Sequence, residues 1–478
     1  MSGAVNDLVR DAASLYRFIG SIYARRDEPE RTHRPATDKF LRYIRDLGES
    51  AKEFLQASVQ MSAGSSTEPQ LSDFEGFDRQ GLTTVREFWN ILHEFVRPVE
   101  DAHTLGIPVA LIEFLEQLLS KVPKLADSQL VISHTPELNY FQYPRGDLRY
   151  FAKIYETIVP GAPTFPPKIA LIGMPYSQAA NLFLNLVICH ELGHFVFEEL
   201  ELERRLSPLI EKELKEALSN YAELSEPDLS WCRKRLRSWS EEIYCDRFAV
   251  GLIGPAYCFA YIELFDVVGI SDAAETEEMV EFQDEHPSDA CRFREWSVQL
   301  TDGGWWNLLD KTGRTTYVPL IKRLASIDEN KYQYNSEQKP QCSGPVLTAF
   351  NKLKQELGQL ITESFGPTLR RYRPDTDCNE IEQVRRYLSY GIVPSTLVKG
   401  GGESFPDGVA LINAAYLFYL ESLPDLIHRI KDQASEKLSQ RCKWGERTEM
   451  WTLKALEDSS LRSDSKELND GGTIGKGY

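Results

Sequence analysis

Hydrophobic and polar positions follow helical spacing through most of the chain. Val5, Leu8, Val9, Ala12, Leu15, Tyr16, Ile19 and Ile22 recur at steps of one and three, which predicts a helix over 4–25. Further helices are expected over Thr37–Met61, Thr83–His103 and Pro108–Lys121, with a Ser-, Gly- and Pro-containing loop from Ala63 to Gly76. From Gln129 the period changes. Gln129–Ser133, Leu138–Tyr143 and Lys168–Gly173 are short β-rich runs and predict strands. Ser177 can cap a helix, and the apolar run Ala179–Ile188 predicts that this helix continues to about Leu200–Glu203. An edge strand at Lys168–Gly173 could pair with an extended peptide, or serve only as scaffold.

Downstream, helices are predicted over Ser207–Glu223, from Trp231 to Ile253 after the break Ser225-Glu226-Pro227-Asp228, and over Tyr317–Ala325, Pro345–Gly366, Glu380–Tyr390, Asp407–Leu420 and Asp425–Arg441. Lys399–Glu403 is glycine-rich and expected to be a mobile loop; without a following Lys-Ser/Thr it is not a phosphate loop. The expected class is mainly α (α+β) with a small sheet. The chain divides into a helical region at 1–125, a core at 126–300, a helical region at 301–460 and a polar, disordered tail at 461–478.

Composition narrows the function. The chain has 478 residues, 42% hydrophobic and 26% charged, as a soluble globular protein does, and its length suggests two or three units or one large domain with helical elaborations. A net charge of −18 argues against broad nucleic-acid binding, which needs basic surfaces. No apolar run reaches the length of a membrane span; Val250–Ile262 and Ala410–Leu420 end at Glu263 and Glu421. Asp7, Arg10 and Asp11 interrupt any signal-peptide pattern. The eight cysteines stand singly, with no C-x-x-C pair, which suits reduced thiols and a cytoplasmic location.

The candidate chemistry lies in His190-Glu191-Leu192-Gly193-His194, an H-E-x-x-H. On a helix, residues four apart share a face, so His190 and His194 can ligate one ion, and Glu191, about 100° further round, can reach its water. Zn²⁺ suits two imidazoles, a third protein ligand and a water. Gly193 costs about 1 kcal/mol relative to Ala in a helix, so its expected use is to admit a close neighbour. For the third ligand the sequence offers Glu242, with Asp246 one helical turn on to hydrogen-bond the far nitrogen of a ligating His. Glu241 is the fallback ligand, and a solvated acidic helix edge is the plain alternative. His33, His93 and His103 are isolated and carry no chemistry.

These residues resemble the gluzincin class of metallopeptidases, with H-E-x-x-H on one helix and E-x-x-x-D on a second. The run from Glu242 to Ala249 resembles the E-x-x-A-D-x-x-A signature of the CAAX prenyl protease and heat-shock membrane protease family, and more loosely soluble zincin-like proteases that cut bacterial repressors. His286-Pro287-Ser288-Asp289-Ala290-Cys291-Arg292 is similar to that family's H-P-x-x-x-x-R segment. The likeness covers about residues 168–300. It departs in lacking membrane spans and in placing Cys245 where a small residue is usual, so a prenylated substrate is not carried over. It implies a zincin-like core in which Zn²⁺ is held by His190, His194 and Glu242, with Glu191 as general base. It also implies that His286 points into the cleft and donates to the oxyanion; a surface His capping its own loop is the alternative. Pro287 is expected in the first turn of the helix holding Arg292.

The function expected is hydrolysis of protein or peptide substrates, behind a cleft that is covered or gated by a protein partner. The alternatives are an inactive zinc-stabilised interaction module and a zinc hydrolase of a non-peptide amide.

Overall fold

The computed structural model describes residues 108–136, 139–143, 168–219, 221, 224–266, 281–283, 285–312, 317–334, 339–365, 372–399, 402–422 and 443–459, with six isolated positions before them. The expected helices over 4–25, 37–61 and 83–103, the 63–76 loop, the 425–441 helix, the 461–478 tail, and His33, His93 and His103 fall outside the described residues apart from those six. The described chain is mainly helical with a small sheet. It forms two compact units: Met1–Ile107 with Ser128–Ala179, and Pro108–Asp127 with Ala180–Tyr478.

The first unit holds β1 (Gln129–Thr135), β2 (Phe141–Gln142) and β3 (Ile169–Pro175). The strand order is β1-β3-β2; β1 runs parallel to β3 and β2 antiparallel. β3 is therefore the central strand, buried along its whole length, and β2 pairs with it only at Gly173 and Ile172. Its apolar run, without alternation, is what a strand covered on both faces requires. Phe141 lies over Gly173 so closely that a Cβ there would meet the ring at 2.5 Å.

The second unit contains α1 (Val109–Ser120), α2 (Ile188–Glu199), α3 (Leu202–Leu218), α4 (Glu226–Ile253), α5 (Pro255–Asp266), α6 (Asp289–Asp302), α7 (Trp306–Thr312), α8 (Tyr317–Ala325), α9 (Ser343–Phe365), α10 (Pro374–Ser389), α11 (Gly408–Leu417) and helical residues 443–459. Four expectations are corrected. The motif helix starts at Ile188, not near Ser177: Ser177 sits in a 3₁₀ turn with no side-chain cap, and Asn181 Oδ1 accepts the Leu184 N–H at 3.0 Å at the head of a second 3₁₀ turn, Leu184–Val187, that leads into the helix. Lys399–Glu403 belongs partly to a hairpin, with Leu397–Lys399 paired to Gly402–Ser404. α3 begins five residues before Ser207 and tolerates Pro208 near its start. Pro287 precedes the N-cap Ser288, whose side chain accepts from Cys291 N, so α6 begins at Asp289.

α4 is the axis of this unit. From Trp239 to Val250 nearly every position is buried, because α2, α5, α6 and α9 all pack on it. Ser225 opens it, hydrogen-bonding Asp228 at 2.7 Å, and Pro227 fits its first turn. Gly254 closes it at φ 72, ψ −153, a backbone region open essentially to glycine, and turns the chain into α5. Phe197, Tyr244, Phe248 and Phe365 interlock around its middle. Each such buried aromatic contributes about 1.5–3 kcal/mol of apolar transfer. Among the described residues, no helix is long and apolar enough to cross a membrane.

Gly193 marks the crossing of α2 and α4. A Cβ there would meet Cys245 Cα at 2.7 Å and Cβ at 2.9 Å, so the neighbour expected from the sequence is α4 itself. Gly193→Ala gains about 1 kcal/mol of helix propensity. The clash is with backbone, which no rotamer relieves, so overpacking of about 1–3 kcal/mol or more prevails. Denaturant unfolding should show net destabilisation; equal or greater stability contradicts this packing.

Candidate metal centre

α2 presents His190 and His194 one turn apart, and α4 presents Glu242 opposite them. Their ligand atoms all lie within 4.8 Å of one another, a group that could hold a metal ion. His190 Nε2 stands 3.4 Å from Glu242 Oε2, and His194 Nε2 stands 3.4 Å from Glu242 Oε1. One carboxylate thus faces both imidazoles with both oxygens. The helix crossing at Gly193 makes this approach possible.

Each histidine's other nitrogen is engaged as well. His190 Nδ1 meets Asp246 Oδ1 at 3.0 Å, the contact expected of Asp246. His194 Nδ1 meets Glu241 Oε1 at 2.8 Å. Glu241 therefore lies behind the group rather than within it. Adjacent residues on a helix point about 100° apart, so Glu242 faces the Nε2 atoms while Glu241 reaches round the outside of His194. A hydrogen bond at Nδ1 fixes the tautomer and leaves Nε2 as the lone-pair donor.

Asp246 is fully buried, and an unpaired charge there would be prohibitive. Arg292 on α6 grips it with Nε to Oδ2 at 2.7 Å and Nη2 to Oδ1 at 2.8 Å, and Tyr257 on α5 donates to Oδ1 at 2.6 Å. Burial alone would raise the Asp246 pKa, but the Arg292 charge outweighs it and holds the carboxyl well below the usual carboxylate range. Burial likewise opposes ionisation of Glu242, and hydrogen bonds from His190, His194 and His286 override it and lower its pKa.

Burial also disfavours a charged His190. Its hydrogen bonds to Asp246 and Glu242 win, and in the metal-free site its pKa is raised to about 9. The sign follows: the contribution to stability is complete below the unfolded value of 6.5 and is lost as pH rises through about 9.

Glu191 follows His190 on α2, is buried, and makes no hydrogen bond or ion pair among the described residues. His286 is brought to the same place: its Nδ1 lies 3.3 Å from Glu242 Oε2, with the side chain half-exposed. Its approach is anchored to α4, where Ser238 Oγ donates to Glu285 O and Trp239 Nε1 donates to Gln283 O, each at 2.9 Å. Phe282 packs on the Trp239 ring.

The structure therefore gathers His190, His194, Glu242, Asp246 and His286 in one place, with Glu191 buried next to His190 on α2. Sequence reasoning did not assign Glu241 to His194, nor Arg292, Tyr257 and Tyr261 to the support of Asp246. The tyrosines are four apart at the start of the helix after α4, a spacing that also suits plain core aromatics.

Two outcomes follow. The chain should take up about one divalent ion, with His194→Ala and Glu242→Ala abolishing tight binding and Glu241→Gln only weakening it. Asp246→Asn should weaken affinity by about 10–100-fold. Chelator-competition titration measures all four, and full binding by Glu242→Ala would remove Glu242 from the site. Uptake must also displace the His190 proton, so affinity should fall as pH drops below about 9, with proton release visible by calorimetry in buffers of different ionisation enthalpy. No protein-family profile, curated protein or solved structure matches this chain, so the centre rests on its own geometry.

Proposed function

We propose that the protein is a zinc-dependent metallopeptidase. The observation that carries this reading is the convergence of His190 Nε2 and His194 Nε2 on the two oxygens of Glu242, each 3.4 Å away. Two donors each about 2.0–2.1 Å from one tetrahedral ion stand roughly 3.3 Å apart, so the spacing already suits zinc. The donor set, two imidazoles and a carboxylate, is one of those that leave a position for water in catalytic zinc sites. When bound there, zinc supplies Lewis-acid polarisation of the scissile carbonyl and lowers the pKa of its water to about 7.

The remaining chemistry belongs to the chain. Glu191 has no competing partner among the described residues, so its carboxylate is available to take the proton of the attacking water. It then hands that proton to the leaving amine as the C–N bond breaks. His286, half-exposed beside Glu242, donates a hydrogen bond to the carbonyl oxygen as that oxygen gains charge. The proposed substrates are proteins or peptides, admitted through a cleft that a partner gates.

Glu191→Gln tests the reading. It should keep zinc and fold while losing peptidase activity on a peptide library; an unchanged profile between Glu191→Gln and wild type would favour a zinc-stabilised interaction module. His286→Ala should also keep zinc and lose about 10²–10³ in rate. Wild-type turnover in His286→Ala would remove it from the mechanism.

A further inference from the structure

The helix after α4 reaches the metal centre from behind. Gly254 turns the chain so that α5 brings Tyr257 and Tyr261 against Asp246 and Arg292. Tyr257 OH lies 2.6 Å from Asp246 Oδ1 and 3.3 Å from His190 Nδ1. Its ring is within 6° of parallel to the His190 imidazole, with centroids 6.3 Å apart. Tyr261 does different work: its hydroxyl accepts Arg292 Nη1 at 2.6 Å, and its ring lies under that guanidinium at 4.6 Å.

A phenol has a single proton to give. With that proton on Asp246 Oδ1, the phenol oxygen turns only lone pairs toward His190 Nδ1. A bare Nδ1 would then face two acceptors, the carboxylate and the phenol oxygen. A protonated Nδ1 instead faces two partners that can accept from it. The pair therefore selects the tautomer with hydrogen on Nδ1 and the lone pair on Nε2, the atom aimed at Glu242. In so dry a setting the difference between satisfied and opposed polar atoms is large.

We infer that Tyr257 is a positioning residue of the metal centre: it holds Asp246 and the His190 tautomer together so that Nε2 stays free for the cation. The inference rests on His190 serving as a ligand, as proposed above. It gives α5 a part in the site that plain core packing would not, and it separates Tyr257, which donates to Asp246, from Tyr261, whose hydroxyl accepts from Arg292.

The experiment uses the full chain and zinc alone. Tyr257→Phe should raise the zinc dissociation constant about tenfold, the lower end of the range for partners behind a ligating histidine. On an Asp246→Asn background the same substitution should add no further loss, because the phenol acts through that carboxylate. Tyr261→Phe should move the constant less than Tyr257→Phe. A purely structural tyrosine would lower the melting temperature of the metal-free protein and leave zinc affinity unmoved. Should Tyr257→Phe fail to fold, Tyr257→3-fluorotyrosine keeps the packing and makes the hydroxyl a stronger donor; it should bind zinc at least as tightly as wild type. Wild-type affinity in Tyr257→Phe, a tenfold loss that persists on Asp246→Asn, or weaker binding in the fluorinated chain overturns the inference. A wild-type chain that takes up no zinc is a different failure, since it removes the reading of the centre itself and the inference with it.

Discussion

Asp246 carries a charge where no water reaches it, and four donor contacts from three helices make that tolerable: His190 Nδ1 from α2, Tyr257 OH from α5, and Arg292 Nε and Nη2 from α6. Taking one partner from a buried ion pair typically costs about 3–5 kcal/mol, because the charge left behind has nothing to replace it. The three helices must therefore close on α4 together. When they do, they aim His190 at Glu242 as a consequence of satisfying Asp246.

The two histidines are not equivalent. His190 is backed by a fully buried carboxylate locked by Arg292, whereas Glu241 behind His194 remains about a third exposed. The His190 side is rigid, and the His194 side lies nearer to solvent. His286 adds a third imidazole beside Glu242, half-exposed, on the segment that Ser238 and Trp239 anchor. A substrate would thus meet a fixed ligand at the back and a more accessible donor in front.

Much of this was legible in the residues. H-E-x-x-H and E-x-x-x-D each depend on a spacing of four, which a helix turns directly into a shared face. The cost of Gly193 in a helix pointed to a close neighbour, and Cys245 is that neighbour. What stayed hidden depends on contacts between distant segments. The spacing to Asp246 favours Glu242 over Glu241 as ligand, but only the helix crossing shows that Glu241 backs His194 from the other side. Tyr257 and Tyr261 look like core residues because their rings are core and only their hydroxyls are not. The central place of β3 comes from parallel pairing with β1, which lies forty positions earlier at Gln129↔Ile169 and leaves no local trace. The late start of α2 follows two 3₁₀ turns, the second headed by Asn181 accepting the Leu184 N–H, a local arrangement that an apolar run does not reveal.

The central claim is that His190, His194 and Glu242 hold one zinc ion. X-ray absorption at the zinc edge of the loaded full-length chain tests it most directly, because Cys245 places a sulfur against the same helix and offers a distinct alternative ligand. The account predicts a nitrogen and oxygen shell at about 2.0–2.1 Å with imidazole scattering from two rings. A sulfur shell at about 2.3 Å, or a spectrum without imidazole, would contradict it.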